Sequence, residues 1–73
     1  MRLQGRVVFR DVEAGVWVLE ADDGTVYALA GGDRKIKRDG GRIEAEGEID
    51  RDALTAAMIG PVFRVTSYRF VDR

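Results

Sequence analysis

The chain has 73 residues, of which 45% are hydrophobic, and it balances 12 Lys plus Arg against 13 Asp plus Glu for a net charge of −1, with no histidine and no cysteine. That length suits one small domain with a packed core, and the hydrophobic share argues against disorder. The composition excludes disulfides, thiolate and imidazole chemistry, and a polyanion partner drawn in by overall charge.

The first strand candidate runs from Leu3 to Val12, where Leu3, Gly5, Val7 and Phe9 alternate with Arg2, Gln4, Arg6, Val8 and Arg10. After a short turn over residues 11–15 come two further alternating runs, 16–21 and 25–29, joined by Asp22-Asp23-Gly24. This is a β-hairpin pattern, because aspartate tolerates and glycine freely adopts the left-handed conformation that a tight turn requires. Trp17, Leu19, Ala21, Tyr27 and Leu29 fall on its inner face, and Glu20 on the outer one; a slip of one residue would bury that carboxylate. Residues 30–41 form a polar connection bounded by glycines, with room for one helical turn. Ile36 is its only large apolar residue and is expected to plug one end of the fold.

Residues 42–49 alternate again, Ile43, Ala45, Gly47 and Ile49 inward against Arg42, Glu44, Glu46 and Glu48 outward, and the mid-strand Gly47 marks a bend or bulge. Residues 50–61 read as a short helix, started by Asp50 or Asp52, carried by the alanines with Leu54 and Met58 on one face, and stopped at Gly60-Pro61. The last strand, 62–71, changes inward parity from Phe63 and Val65 to Tyr68 and Phe70, which predicts a bulge near Thr66-Ser67. The fold class is therefore mainly β, a five-stranded barrel with one short helix in a single domain over residues 1–73.

The series Gly5-x-Val7, Trp17-x-Leu19, Asp23-Gly24-Thr25-x-Tyr27-x-Leu29, Gly41-x-Ile43-x-x-x-Gly47 and Val65-x-x-Tyr68 resembles small bacterial OB-fold domains. The resemblance covers nearly the whole chain and implies that the first and fourth strands are antiparallel neighbours. The OB pattern places its helix between strands three and four, whereas the stronger helical stretch here lies between four and five, so an SH3-like barrel is the alternative.

Catalysis is not expected. Ser67 is the only serine and has no histidine to activate it, and the carboxylate pairs Asp22/Asp23, Glu46/Glu48 and Asp50/Asp52 fall in a turn, on a solvated face and at a helix cap. No cofactor is expected, since the glycines fit no phosphate loop or dinucleotide fingerprint, and no metal, since Asp22-Asp23-Gly24 lacks the ligand count of a calcium loop. No run reaches the ~20 apolar residues that cross a bilayer, and Met1-Arg2-Leu3-Gln4-Gly5 lacks the apolar core of a signal peptide. The expectation is a cytoplasmic binding module.

Two surfaces are candidates. The outward residues Val8, Val16, Val18, Val26 and Ala28 would form an apolar patch, either a contact surface for a protein partner or a homodimer, or a face covered by the chain's own loops. The basic loop Arg34, Lys35, Lys37 and Arg38, extended by Arg42, is the candidate for single-stranded nucleic acid. Asp33 and Asp39 flank that loop, and the outward positions of the second and third strands carry no aromatic ring. Trp17, Tyr27 and Phe63 have inward parity and are expected in the core. The outward rows Arg2, Arg6, Arg10 and Glu44, Glu46, Glu48 are expected to pair across the first and fourth strands.

Overall fold

A computed structural model describes residues 1–12, 14–52 and 59–71. Its strands are β1 (Arg2–Arg10), β2 (Val16–Ala21), β3 (Val26–Gly31), β4 (Arg42–Asp50) and β5 (Val62–Phe70). They close into a ring in the order β1-β2-β3-β5-β4, with β4 returning to β1. All pairings are antiparallel except β3 with β5.

The hairpin at the centre of the sequence forms as its turn chemistry dictates. Gly24 takes φ +91°, its amide donates to the Ala21 carbonyl at 3.0 Å, and the Thr25 amide donates to Asp23 Oδ1 at 2.8 Å. With that turn fixed, Leu19 is set opposite Val7 on one side and Tyr27 on the other, which starts an inward row around the ring. Leu3, Val7, Leu19, Tyr27, Ile43, Phe63 and Val65 are buried in the central cluster, with Trp17, Leu29, Ile49, Tyr68 and Phe70 half-buried against it. Phe9 departs from the expected core: it is 42% exposed, because it lies near the end of β1, beyond the ring interior, and rests on Trp17 with ring centroids 5.2 Å apart.

Closure also needs a sharp bend. Glu46 stands opposite Ser67 and Gly47 opposite Val65, so Thr66 is the extra residue of a bulge, and its hydroxyl donates to the Glu46 carbonyl at 3.1 Å. The glycine expectation on β4 and the parity change on β5 are two views of this one irregularity. Gly47 has no room for a side chain, since a Cβ there would overlap the Arg64 carbonyl.

The connection from β3 to β4 holds a single 3-10 turn, Arg34–Ile36, the only helical element among the described residues. Ile36 is 2% exposed and joins the central cluster, so it closes the end of the ring. Of the helix expected over 50–61, residues 53–58, with Leu54 and Met58, lie outside the described residues, while Asp50 belongs to β4 and residues 51, 52 and 59–61 are not helical. At the start of this stretch, Asp50 accepts from the Asp52 amide at 3.1 Å and from the Arg64 guanidinium at 2.7 Å.

On the outer surface, one of two open readings gains support and one expectation is corrected. The apolar patch is not open throughout: Val18 is 0% and Ala28 3% exposed, while Val8, Val16 and Val26 are half-buried. Val8, Val18, Ala28 and Val62 form one row across four strands, and part of its shelter is the chain entering β5. There the Ala28 amide donates to the Pro61 carbonyl at 2.8 Å, and Gly60 comes close enough to the Val26 carbonyl to exclude a side chain. The charged rows, for their part, pair at one position only. Arg2 faces Glu46, at 3.3 Å, but Gln4 faces Glu44 and Arg6 faces Arg42, while Arg10 pairs with Glu20 at 2.8 Å. The register is set by ring closure, which shifts the two rows relative to each other.

Candidate functional site

The β3–β4 loop carries the basic cluster, and three anchors fix its shape. At its start, Asp33 caps the 3-10 turn by accepting from the Lys35 amide at 3.0 Å, and it also accepts the Tyr68 hydroxyl proton from β5. This hydroxyl is the largest influence and holds the Asp33 carboxyl below the ordinary carboxylate range; desolvation, next in size, opposes it, and the Lys35 and Ile36 amides and the Lys35 charge add to the lowering. In return the bond to Asp33 pushes the Tyr68 phenol up to about 12. In the middle, Ile36 is sunk into the ring. At the far end, the Gly40 amide donates to the Val7 carbonyl and the Val7 amide to the Gly41 carbonyl, each at 2.7 Å, while Asp39 accepts from the Phe9 amide at 3.0 Å. The two flanking aspartates, which in the sequence look like partners that would neutralise the cluster, thus serve largely as backbone and hydroxyl acceptors.

Arg34, Lys35, Lys37 and Arg38 are all exposed on this tethered loop, and Arg42 is half-buried at the start of β4. They do not form one patch. Lys37 turns to a groove of about 350 Å³ whose wall includes Trp17, Val16, Leu29 and Ile36. Arg38 and Arg42 line a different cleft of about 480 Å³ together with Arg6, Asp39 and Phe70. Arg42 is held by an ion pair to Asp22, and the Arg38 guanidinium lies over the Phe70 ring, 5.2 Å from its centroid. Lys37, Arg38 and Arg6 have no ion-pair partner among the described residues.

Tyr27 and Phe63 are buried, as their parity predicts, and their rings pack at 6.0 Å. Trp17 shares that parity yet is only half-buried, because it sits near the mouth of the ring, where the inner face runs out into the groove beside Lys37. Phe9 backs it from the side. Arg6, Phe9, Trp17 and Phe70 are therefore site residues that alternation alone does not reveal. The available signal was position along the strand: Phe9 and Trp17 stand opposite each other next to the β1–β2 turn. Of the apolar candidates, Val16 reaches the groove, and Val18 and Ala28 are buried.

Among the described residues no cluster of His, Cys, Asp or Glu is able to hold a metal ion, and no helix is long and apolar enough to cross a membrane. Among the described residues, the site brings together loop cations and one half-buried indole.

The molecule is thus a small, mainly β domain whose sheet closes in a ring and whose β3–β4 loop sets Lys37 in a groove beside Trp17. The chain belongs to the family described as "Protein of unknown function (DUF5818)", which matches residues 4–62. No curated protein and no solved structure matches the chain.

Proposed function

We propose that this protein is a non-enzymatic OB-like binding module that takes single-stranded nucleic acid at the ring end bearing the β3–β4 loop. The OB-like reading is supported by β1 lying antiparallel to both β2 and β4 and by the parallel pairing of β3 with β5. The observation that carries the function is the groove in which Lys37 stands beside half-buried Trp17. A ring for a base to stack on and a cation for its phosphate are the two elements of sequence-independent single-strand binding, and stacking contributes about 1–3 kcal/mol per base. Arg38, next in the chain, extends the positive charge to the far side of the loop. Anchoring by Asp33, Ile36 and Asp39 means that these side chains are presented without ordering a loop on binding, which lowers the entropic cost.

Because Trp17 is the only tryptophan, its fluorescence reports directly on the groove. Titration with oligothymidylate or oligouridylate is expected to quench it with a micromolar dissociation constant, and Lys37→Gln to weaken that binding several-fold. Unchanged fluorescence at saturating oligonucleotide would defeat the proposal.

A second reading, a contact surface for a protein partner or a second copy, is favoured by Phe9 and Val12, 42% and 41% exposed next to half-buried Val8 and Val16. Light scattering behind size exclusion would support self-association only if the mass is twice that of the 8.1 kDa chain.

A further inference from the structure

The cleft on the other side of the loop holds an arrangement that the groove does not explain. Arg6 and Arg42 are direct partners in the β1–β4 ladder, so two guanidinium-bearing side chains leave the sheet side by side where a carboxylate would ordinarily be placed. Like charges directly opposite destabilise a sheet, and the neighbouring positions show the compensated alternative, Arg2 against Glu46 and Gln4 against Glu44. Arg42 is partly satisfied by Asp22, but Arg6 has no ion pair among the described residues, since Glu20, its partner on β2, binds Arg10. Arg38 enters from the loop as a third cation, its guanidinium carbon 5.2 Å from the centroid of the Phe70 ring. The one carboxylate in the lining, Asp39, accepts the Phe9 amide through Oδ1, and the three guanidinium groups outnumber it.

From these positions we infer that the Arg6–Arg38–Arg42 cleft binds a phosphate monoester dianion, with Arg6 and Arg42 as a two-sided clamp and Arg38 closing over it. Guanidinium suits this ligand because its planar fork donates two parallel bonds to phosphate oxygens, and a dianion offsets the repulsion between the opposed pair. The cleft of about 480 Å³ admits the phosphate and part of the group that bears it. A mononucleotide and the phosphorylated 5′ end of a strand present this same group, so the chemistry recognised is the same. The inference stands independently of the Trp17 groove.

The test compares wild-type protein with Arg6→Gln. In chloride buffer without phosphate the variant is expected to melt at the same temperature or higher, because it loses a repulsion and no ion pair; a clear fall in Tm would overturn the inference by making Arg6 a structural residue. Adding inorganic phosphate at fixed ionic strength is expected to raise the wild-type Tm by several degrees and to leave the variant's nearly unchanged. Equal shifts in both proteins would show a general salt effect and overturn the inference. Titrations with thymidine 5′-monophosphate and with oligothymidylate carrying either a 5′-phosphate or a 5′-hydroxyl identify the source. About tenfold preference for the phosphorylated strand, lost in Arg6→Gln, places a strand end in the cleft. Arg6-dependent binding of the mononucleotide without that preference places a small nucleotide there. Absence of both contradicts the site even if Trp17 fluorescence still reports the strand.

Discussion

Replacing Ile36 by alanine isolates the contribution of one apolar residue in an otherwise polar loop. Its side chain is 2% exposed and belongs to the central cluster, so the change removes three buried carbons and opens a cavity at the end of the ring. Such truncations cost about 2–5 kcal/mol, and the value here is expected near the middle, about 3 kcal/mol, because the loop is tied at both ends by Asp33 and Asp39 and cannot collapse fully into the gap. In a domain of this size each kcal/mol moves the melting midpoint by roughly 4–8 °C, so Tm should fall by about 12–24 °C. Ile36→Val, which loses one methylene, should cost about 1 kcal/mol. Both are measured by thermal and urea unfolding followed through Trp17 fluorescence and far-ultraviolet circular dichroism. A loss below about 0.5 kcal/mol for the alanine variant is what a solvated loop position gives, and it would refute the claim that this loop is part of the core.

Other expected outcomes test the frame around it. Gly47→Ala should destabilise severely or prevent folding, because the added methyl has to displace the Arg64 carbonyl at the bulge; expression and circular dichroism at unchanged stability would contradict the close approach. Glu46→Lys sets a second cation opposite Arg2 and should lower stability by about 0.5–1 kcal/mol, whereas Lys37→Gln should change it by less than the error of a urea melt; equal losses would argue against the β1–β4 register. The bond between Tyr68 and Asp33 links stability to pH at both ends of the range. Asp33 is lowered on folding, so its contribution is present above its unfolded value near 3.8 and is lost as pH falls through its lower folded value. Tyr68 is raised to about 12, so its contribution is present below pH 10 and lost between 10 and 12. Tyr68→Phe should flatten both flanks of the stability profile, and an unchanged alkaline flank would contradict the bond.

What the sequence made legible is local. The Asp22-Asp23-Gly24 turn, the strand parities, the single helical turn before β4 and the plug at Ile36 each follow from a few neighbouring residues whose chemistry permits one conformation. The bulge was readable twice, as a glycine on β4 and as a change of parity on β5. What escaped depends on closure of the ring. Alternation says which face a side chain takes but not how far along the interior it lies, so Phe9 and Trp17 read as core although they stand at the mouth. It likewise does not show what passes over the outer face, and so whether Val18 and Ala28 were open or covered could not be read from it. The opposition of Arg6 and Arg42, and with it the cleft, exists only because β1 and β4 meet in one particular register across 36 residues of chain. The basic loop was visible as a cluster, but its division between two cavities was not.

The most direct test of nucleic-acid binding at the loop end is the salt dependence of fluorescence anisotropy with a labelled oligothymidylate. Engagement of phosphates by Lys37 and Arg38 predicts that the logarithm of the association constant falls with the logarithm of salt with a slope of about −1.4, at roughly −0.7 per phosphate contact on a single strand, and that Lys37→Gln makes it shallower by about 0.7. Binding that does not vary between low and high salt, or no binding at tens of micromolar protein in low salt, would contradict it.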